Sequence, residues 1–165
     1  MRSLAKGKGS STSLATFANV LFDTNIYLRV LHSEVYERRH RERFARFAPR
    51  TYLCSVVAAE LYAGAHTVQS IRLVDHLLAP YLRVGRLVFP HYTDWINMGK
   101  VAARILRTAP GYRSKLPALQ NDILIALSAK RVGATVVFEN EEDFTLIRRF
   151  VSFFLFPLLP PPHSL

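Results

Sequence analysis

The segment Val20–Leu28, VLFDTNIYL, changes character in its middle. A short apolar run stops at Asp23, the polar pair Thr24-Asn25 follows, and apolar residues then return at roughly helical spacing. This pattern predicts a buried strand that ends at Asp23 and a helix that begins directly after it. Asp, Thr and Asn often cap helix starts, but the carboxyl edge of an α/β sheet is also where such proteins bind ligands. Asp23 is therefore either a cap or a site residue, and on its own it does not decide between the two.

The composition fits one folded domain whose two ends differ from it in character. The chain has 165 residues, of which 50% are hydrophobic, and this is enough for one core. Residues 1–17 are basic and rich in Gly and Ser, which predicts a disordered leader. We expect the folded domain at residues 18–157 and a Pro-rich tail at residues 158–165.

Membrane and disulfide-stabilised classes are disfavoured. The most apolar segment, FVSFFLFPLL, is too short for a membrane helix and contains Pro157. The N-terminal residues lack the apolar core of a signal peptide. Cys54 is the single cysteine, so neither an internal disulfide nor a metal site built from several cysteines is possible. We therefore expect a cytoplasmic protein without a membrane partner.

The charge of the chain indicates a polyanionic partner. Twenty-two Lys and Arg against 12 Asp and Glu give a formal charge of +10, which favours nucleic acid. The densest basic run is ERRHRERFARF, where Arg38, Arg39 and Arg43 are candidate RNA contacts. The alternative is a solvated helix in which Glu37 and Glu42 pair locally with these arginines.

The order of apolar segments predicts an α/β fold, because strands alternate with helices along most of the chain. We expect a three-layer α/β/α domain with a central, mostly parallel sheet. We also expect the helix at 67–82 to be interrupted near Pro80 and the helix at 93–109 to be capped by Thr93 or Asp94. An acidic loop is expected at residues 139–143. Strands are expected at residues 19–23, in 51–57, in 83–90, at 134–138 and at 150–156; helices at 25–31, 33–48, 56–65, 67–82, 93–109 and 119–133, with a loop at 110–118.

Four of the few acidic residues lie beside strongly apolar neighbours, where a lone charge is costly. These are Asp23, Glu60 in SVVAAELYAGA, Asp122 at the start of DILIALSAK, and Asp143 after ATVVF. Each also has a plain structural explanation: Glu60 at a helix edge, Asp122 in a first helical turn, and Asp143 as a helix cap. As a set they are more informative, because carboxylates that converge at one sheet edge repel each other unless a cation neutralises them. Oxygen ligands suit Mg²⁺ or Mn²⁺, and such a pocket in a basic protein fits phosphodiester hydrolysis.

The same segments resemble the PIN domain, in particular the VapC-type toxin ribonucleases of prokaryotic toxin–antitoxin pairs. The resemblance runs from about Val20 to Phe156 and covers nearly all of the chain except its two ends. It rests on VLFDTNIYLRVL, SVVAAELYAGA, QNDILIALSAKRVGATVVFENEEDF and the final apolar strand.

The resemblance implies a role for each acid. Asp23 and Asp122 would bind Mg²⁺ (or Mn²⁺) directly or through water, Glu60 and Asp143 would complete the pocket, and Asn25 would orient groups around Asp23. It also implies that metal-activated water cleaves RNA and that a cognate antitoxin lies across the groove of the protein. We expect a homodimer as well.

One loop departs from the family pattern. Where the family has Thr or Ser and often a basic residue, this chain has Phe138 and Glu139, so a hydroxyl that could contact phosphate is missing. An alternative function is therefore a PIN-like RNA-binding module with weak or no catalysis. A haloacid dehalogenase-like phosphatase is disfavoured, because it needs a second aspartate at the position of Asn25.

Overall fold

The computed structural model describes residues 19–139 and 141–158, which form a parallel sheet with its covering helices. The five strands are β1 (Asn19–Phe22), β2 (Thr51–Cys54), β3 (Leu87–Val88), β4 (Ala134–Phe138) and β5 (Phe154–Pro157). The helices are α1 (Thr24–His32), α2 (Glu34–Phe47), α3 (Ser55–Ala63), α4 (Val68–Arg83), α5 (Tyr92–Thr108), α6 (Leu116–Arg131) and α7 (Glu141–Arg148), and short 3₁₀ turns span Ala48–Arg50 and Pro110–Lys115.

The sheet order is β3-β2-β1-β4-β5, and every neighbouring pair is parallel. Because parallel crossovers are right-handed, this order places α1–α4 on one face of the sheet and α5–α7 on the other. The three-layer α/β/α prediction with a parallel sheet is therefore confirmed. The chain leaves β1 toward β2 and later returns to β4 on the opposite side, so the carboxyl ends of β1 and β4 form the topological switch point where α/β proteins bind ligands.

The central strands and α6 supply the core. All five residues of β4 are buried, as are Val20, Leu21 and Phe22 of β1. Every residue from Ile123 to Ala129 in α6 is buried, because this helix is covered on all sides by neighbouring elements. This explains why the sequence DILIALSAK lacks a polar face.

Two helices differ from their prediction near prolines. α4 runs without interruption to Arg83 although Pro80 lies in its last turn and has no N–H to donate to the carbonyl of residue 76; the ring is exposed, so it does not disturb the core. α6 begins at Leu116 and not at residue 119, since Pro117 occupies the first turn, where its missing N–H has no partner to lose. The expected loop at 110–118 is therefore a 3₁₀ turn followed by helix.

The cap of α5 also differs from its prediction. His91 occupies the cap position in place of Thr93 or Asp94. Asp94 lies three residues inside the helix, where its carboxylate accepts the backbone N–H of His91 at 2.8 Å. This is the reciprocal bond of a capping box.

The expected acidic loop is in fact the start of α7. Its first turn contains Glu141, Glu142 and Asp143, which suit the positive end of the helix dipole. Phe144 and Ile147 on the same helix are buried in the core. A sequence of acidic residues looked like a loop because only two residues of this short helix carry its apolar contacts.

The edge strands are shorter than predicted. β3 has two residues, and β5 begins at Phe154 and not at residue 150. Leu158 continues the pairing, since its N–H donates to the carbonyl of Phe138 at 2.7 Å and its side chain is buried. The predicted leader and residues 159–165 of the predicted tail lie outside the described residues. Within the described part, no helix combines the length and apolar character needed to span a membrane.

The docking of α7 gives a stability prediction. Ile147→Ala removes a fully buried side chain, and we expect it to lower the free energy of unfolding by about 2–4 kcal/mol. Ile96→Ala removes the same atoms from a side chain that is 56% exposed and serves as the control, with an expected change below about 1 kcal/mol. Urea denaturation measures both, and equal losses in the two variants would contradict the packing of α7.

Candidate active site

Asp23 lies directly after β1, at the switch point of the sheet. Its backbone N–H donates to the carbonyl of Val137 in β4 at 2.9 Å, which fixes the residue between the two strands. Its carboxylate caps α1 by accepting the Thr24 backbone N–H at 2.8 Å, and the Asn25 side chain donates to it at 3.3 Å. Burial, with the nearby charge of Glu60, raises the pKa of Asp23 to about 6 despite these hydrogen bonds. Asp23 is thus a helix cap, but burial and the nearby Glu60 also make the ionised form of its carboxylate unfavourable.

Glu60 lies on α3 and is held from two sides. The hydroxyl of Thr24 donates to one oxygen of its carboxylate, and the side-chain amide of Asn121 donates to the other at 2.8 Å. These bonds join α1, α3 and α6 around one carboxylate. Glu60 therefore faces the other acids in a fixed position and does not extend into solvent from a helix edge.

Asp122 is the most perturbed acid of the site. Burial raises its pKa to about 8, and the charges of Asp23, Asp143 and Glu60 add to the shift in that order. A carboxyl group in this state keeps its proton near neutral pH because ionisation would place another negative charge among three others. The structure thus brings the other three predicted acids within electrostatic reach of Asp122.

Asp143 approaches this group from α7, as the third residue of the helix. Its Oδ1 atom is buried and has no hydrogen-bond partner among the described residues. Tyr112 lies nearby: its hydroxyl donates to Glu142 at 3.1 Å, and burial together with the Glu142 and Asp143 carboxylates raises the pKa of this phenol. A buried oxygen without a partner is costly, and a cation or a water bound to one would satisfy it.

The donor set fits a hard divalent cation only if water completes the coordination. Within residues 19–139 and 141–158, no three Asp, Glu, His or Cys side chains lie close enough together to form a ready-made cage. Mg²⁺ does not require such a cage, because it usually keeps several waters and binds through one or two carboxylates. Asp23 and Asp122 are suited to this role because burial and neighbouring carboxylates raise the pKa of both, and a bound cation would offset both effects.

Sequence reasoning missed the residues that position Glu60. The sequence assigns Thr24 only a possible capping role and gives no role to Asn121. Both lie in short polar runs, Asp-Thr-Asn and Asn-Asp, that interrupt apolar segments. These polar runs are the signal that could have identified both residues, because capping a helix needs one polar residue and not two or three.

The altered loop after β4 has a specific structure. Phe138 is buried, and its ring lies 5.7 Å from that of Phe144, so the position of the missing hydroxyl belongs to the core. Glu139 forms a 2.7 Å ion pair with Arg29 of α1 and accepts the hydroxyl of Tyr36 of α2 at 2.6 Å. Sequence reasoning did not foresee that Glu139 would attach the loop to α1 and α2.

The arginines of α2 fall into distinct environments. Arg41 pairs with Glu37 at 3.0 Å, as the solvated-helix alternative expects for a local pair. Arg38 and Arg39 are exposed and Arg43 is half-buried. Burial and then the charge of Arg43 lower the pKa of the buried His40, while Glu139 acts in the opposite direction. Arg43 also acts on Tyr36, the α2 residue that hydrogen-bonds Glu139, so Arg43 lies on the face of α2 that meets the altered loop.

Comparison with protein families gives one match over most of the chain. A family model described as the PIN domain matches residues 20–149, a range that contains all four acids. No curated protein matches the sequence significantly.

Several solved structures share the fold at low sequence identity. A chain of DNA-bound VapBC from Salmonella typhimurium superposes with a TM-score of 0.65 and 20% identity, over 86% of this chain and 98% of that one. VapBC-1 from nontypeable Haemophilus influenzae superposes with a TM-score of 0.58 and 20% identity, over 84% of this chain and 96% of that one. FitAcB from Neisseria gonorrhoeae superposes with a TM-score of 0.56 and 19% identity, over 83% of this chain and 96% of that one.

The raised pKa of Asp122 predicts how stability depends on pH without a divalent ion. The folded state keeps the proton up to pH about 8, whereas the unfolded state loses it near 3.8. Between these values the folded state binds more protons, so this residue lowers the free energy of unfolding as the pH rises. Asp122→Asn removes this unfavourable ionisation, and we expect it to raise the free energy of unfolding at pH 8 in EDTA by about 3 kcal/mol. This value is roughly half of what the full pKa shift would give, because solvent screens part of the interaction.

Urea denaturation of wild type and Asp122→Asn at pH 5 and pH 8 measures the effect. The gain should be larger at pH 8, and millimolar Mg²⁺ should stabilise only the wild type. Asp75→Asn changes an exposed carboxylate and serves as the control. A variant that is less stable than wild type at pH 8 in EDTA would show that Asp122 already has a stabilising partner.

Proposed function

The chain belongs to the PIN domain family, and from that premise we propose that it is a Mg²⁺-dependent endoribonuclease that acts as the toxin of a VapC-type toxin–antitoxin pair. The observation that carries the proposal is the electrostatic coupling of Asp122 to Asp23, Glu60 and Asp143 at the carboxyl edge of the sheet. Like charges persist in such a place when a bound cation offsets them.

Asp23 and Asp122 would hold the ion, and Mn²⁺ could replace Mg²⁺. When bound, the ion would polarise the phosphodiester and lower the pKa of a coordinated water. Asp122 would release its proton as the ion binds, so affinity should rise with pH. Asn25 keeps the Asp23 carboxylate oriented through its 3.3 Å hydrogen bond.

Glu60 and Asp143 would complete the pocket without being the main ligands. Both oxygens of Glu60 are already engaged, by Thr24 and Asn121, so Glu60 is suited to accept hydrogen bonds from water at the site. Asp143 has a free buried oxygen that faces no partner in the described part of the chain.

The basic surface would hold the RNA. The formal charge of +10 attracts a polyanion in general, Arg43 lies on the face of α2 that meets the altered loop, and Arg39 is exposed on the same helix. Arg38 extends the exposed basic surface of the same helix. Contacts from these side chains to phosphates would position the strand, whereas cleavage would depend on the acids.

An antitoxin would bind a large apolar groove between α1, α2 and α4. The groove has a volume of about 760 Å³ and is lined by Ile26, Tyr27, Phe44, Leu77 and Tyr81, among others. The fold neighbours come from complexes named VapBC and FitAcB, which supports a second protein as the occupant. An amphipathic helix fits such a groove through its apolar face. The homodimer stays a prediction.

The first functional prediction is metal-dependent cleavage of RNA. Purified protein should cut a single-stranded RNA with Mg²⁺ or Mn²⁺, and EDTA should stop the reaction. Asp23→Asn and Asp122→Asn should each lower the cleavage rate at least about a hundredfold, because each removes a charge from the ion site. Asp75→Asn should keep the wild-type rate. If the protein binds RNA but no metal supports cleavage, the RNA-binding module is the better account.

The second prediction concerns the affinity for RNA and its dependence on salt. Replacing Arg38, Arg39 and Arg43 by Ala should weaken binding and reduce the slope of log K against log salt by about 2, since each phosphate contact to a single strand contributes roughly 0.7. The control replaces Arg72, Arg83 and Arg107, which are exposed on α4 and α5. Equal slopes for the two triple variants would show that the α2 arginines contribute no more than any other exposed positive charge, as the solvated-helix alternative expects.

The third prediction concerns the partner. Expression of the wild type alone should arrest growth, and co-expression of the product of the adjacent gene should restore it. Val84→Arg introduces a charge into the groove at a position that is 63% exposed, so it should arrest growth and resist rescue. Val35→Arg, outside the groove and equally exposed, should be rescued normally. Rescue of both variants would exclude the groove as the binding surface.

A further inference from the structure

A second, smaller cavity adjoins the candidate active site. It has a volume of about 410 Å³, and Glu60 and Asn121 are part of its lining. These are the two side chains that share a 2.8 Å hydrogen bond beside the acids. Any group that occupies the cavity therefore lies next to the catalytic carboxylates.

The remaining lining is apolar and includes an exposed aromatic ring. Val56 and Ala59 of α3 contribute to one side, and the other side comes from Pro90, just before α5, and Trp95, in the first turns of α5. Trp95 is 54% exposed, and its neighbours Phe89, Tyr92 and Ile96 are each more than half exposed. Exposed apolar groups clustered in this way mark a binding surface.

A polar network around the buried Asp94 holds residues 89–95 in place. Asp94 is buried and accepts the His91 backbone N–H at 2.8 Å and the Arg131 side chain at 3.3 Å. Arg131 also donates to the carbonyl of Phe89. The segment is thereby fixed to the end of α6, so Trp95 is presented to solvent on a rigid support and not on a loose loop.

From this juxtaposition we propose that Trp95 is a substrate-binding residue against which one unpaired base of the RNA stacks, at the nucleotide next to the cleaved phosphodiester. Single-stranded RNA is commonly bound by stacking of splayed bases on aromatic rings. Pro90 and the α3 side chains would enclose the base, and Asn121 would lie at its polar edge. The proposal rests on the proposed ribonuclease function and assigns the protein a preference for unpaired RNA.

The position of the cavity favours a base of the RNA as its occupant. Glu60 and Asn121 line the cavity beside the other acids, so the nucleotide next to a phosphodiester held at the acids would reach Trp95. A protein partner in the same place would cover the active site together with the cavity. The formal charge of +10 attracts RNA to the molecule as a whole.

The test uses the fact that Trp95 is the single tryptophan of the chain. In EDTA, where cleavage is blocked, a single-stranded RNA should quench the tryptophan fluorescence in a saturable manner, and a duplex of the same sequence should quench it far less. Fluorescence anisotropy of labelled RNA then compares the variants. Trp95→Ala should weaken binding roughly tenfold, Trp95→Phe should recover most of the affinity, and Phe154→Ala, an exposed aromatic of β5 that does not line the cavity, should match wild type.

The outcomes separate this proposal from the ribonuclease proposal. Quenching with loss of affinity in Trp95→Ala, but no cleavage when Mg²⁺ is added, would support the stacking site and contradict the nuclease. Cleavage with unchanged KM in Trp95→Ala, or RNA binding without quenching, would overturn the stacking site alone. A shift from dimer to monomer in Trp95→Ala by sedimentation, with RNA affinity unchanged, would assign the surface to a second copy.

Discussion

Mutual repulsion among carboxylates in a partly dry pocket is the constraint on which the rest of the structure depends. Asp122 keeps its proton to pH about 8 because burial and three nearby acids oppose its ionisation. A sequence selected for stability alone would not place these four side chains at one sheet edge. The proposed cation would offset this repulsion, and the parallel topology supplies the place because the ends of β1 and β4 meet there.

The surroundings fix the acids without neutralising them. Glu60 is held by Thr24 and Asn121, which are uncharged. The ion pair closest to the site in the described part of the chain, between Arg29 and Glu139, engages an acid outside the group of four. Arginines would satisfy the carboxylates and close the site to a cation. Neutral donors instead orient the carboxylates and leave their charge available, which suits a site that must exchange an ion or a substrate.

The fold and the acids were largely predictable from the sequence, because both depend on local patterns. The Asp-Thr-Asn interruption after a buried strand placed Asp23, and the charge of Glu60 within SVVAAELYAGA was visible as an anomaly. α7 was missed because its acidic first turn resembles a loop and its apolar contacts come from Phe144 and Ile147 alone. The roles of Thr24, Asn121 and Trp95 depend on contacts between distant segments, and no local pattern encodes these.

A crystal of the protein soaked in Mn²⁺ tests the central claim most directly, because the anomalous signal of manganese locates the ion independently of activity. The account predicts one strong peak within roughly 2.1 Å of carboxylate oxygens of Asp23 and Asp122, and its loss in Asp122→Asn. A fully occupied Mn²⁺ site elsewhere, or no peak between these two residues at millimolar Mn²⁺, would contradict it.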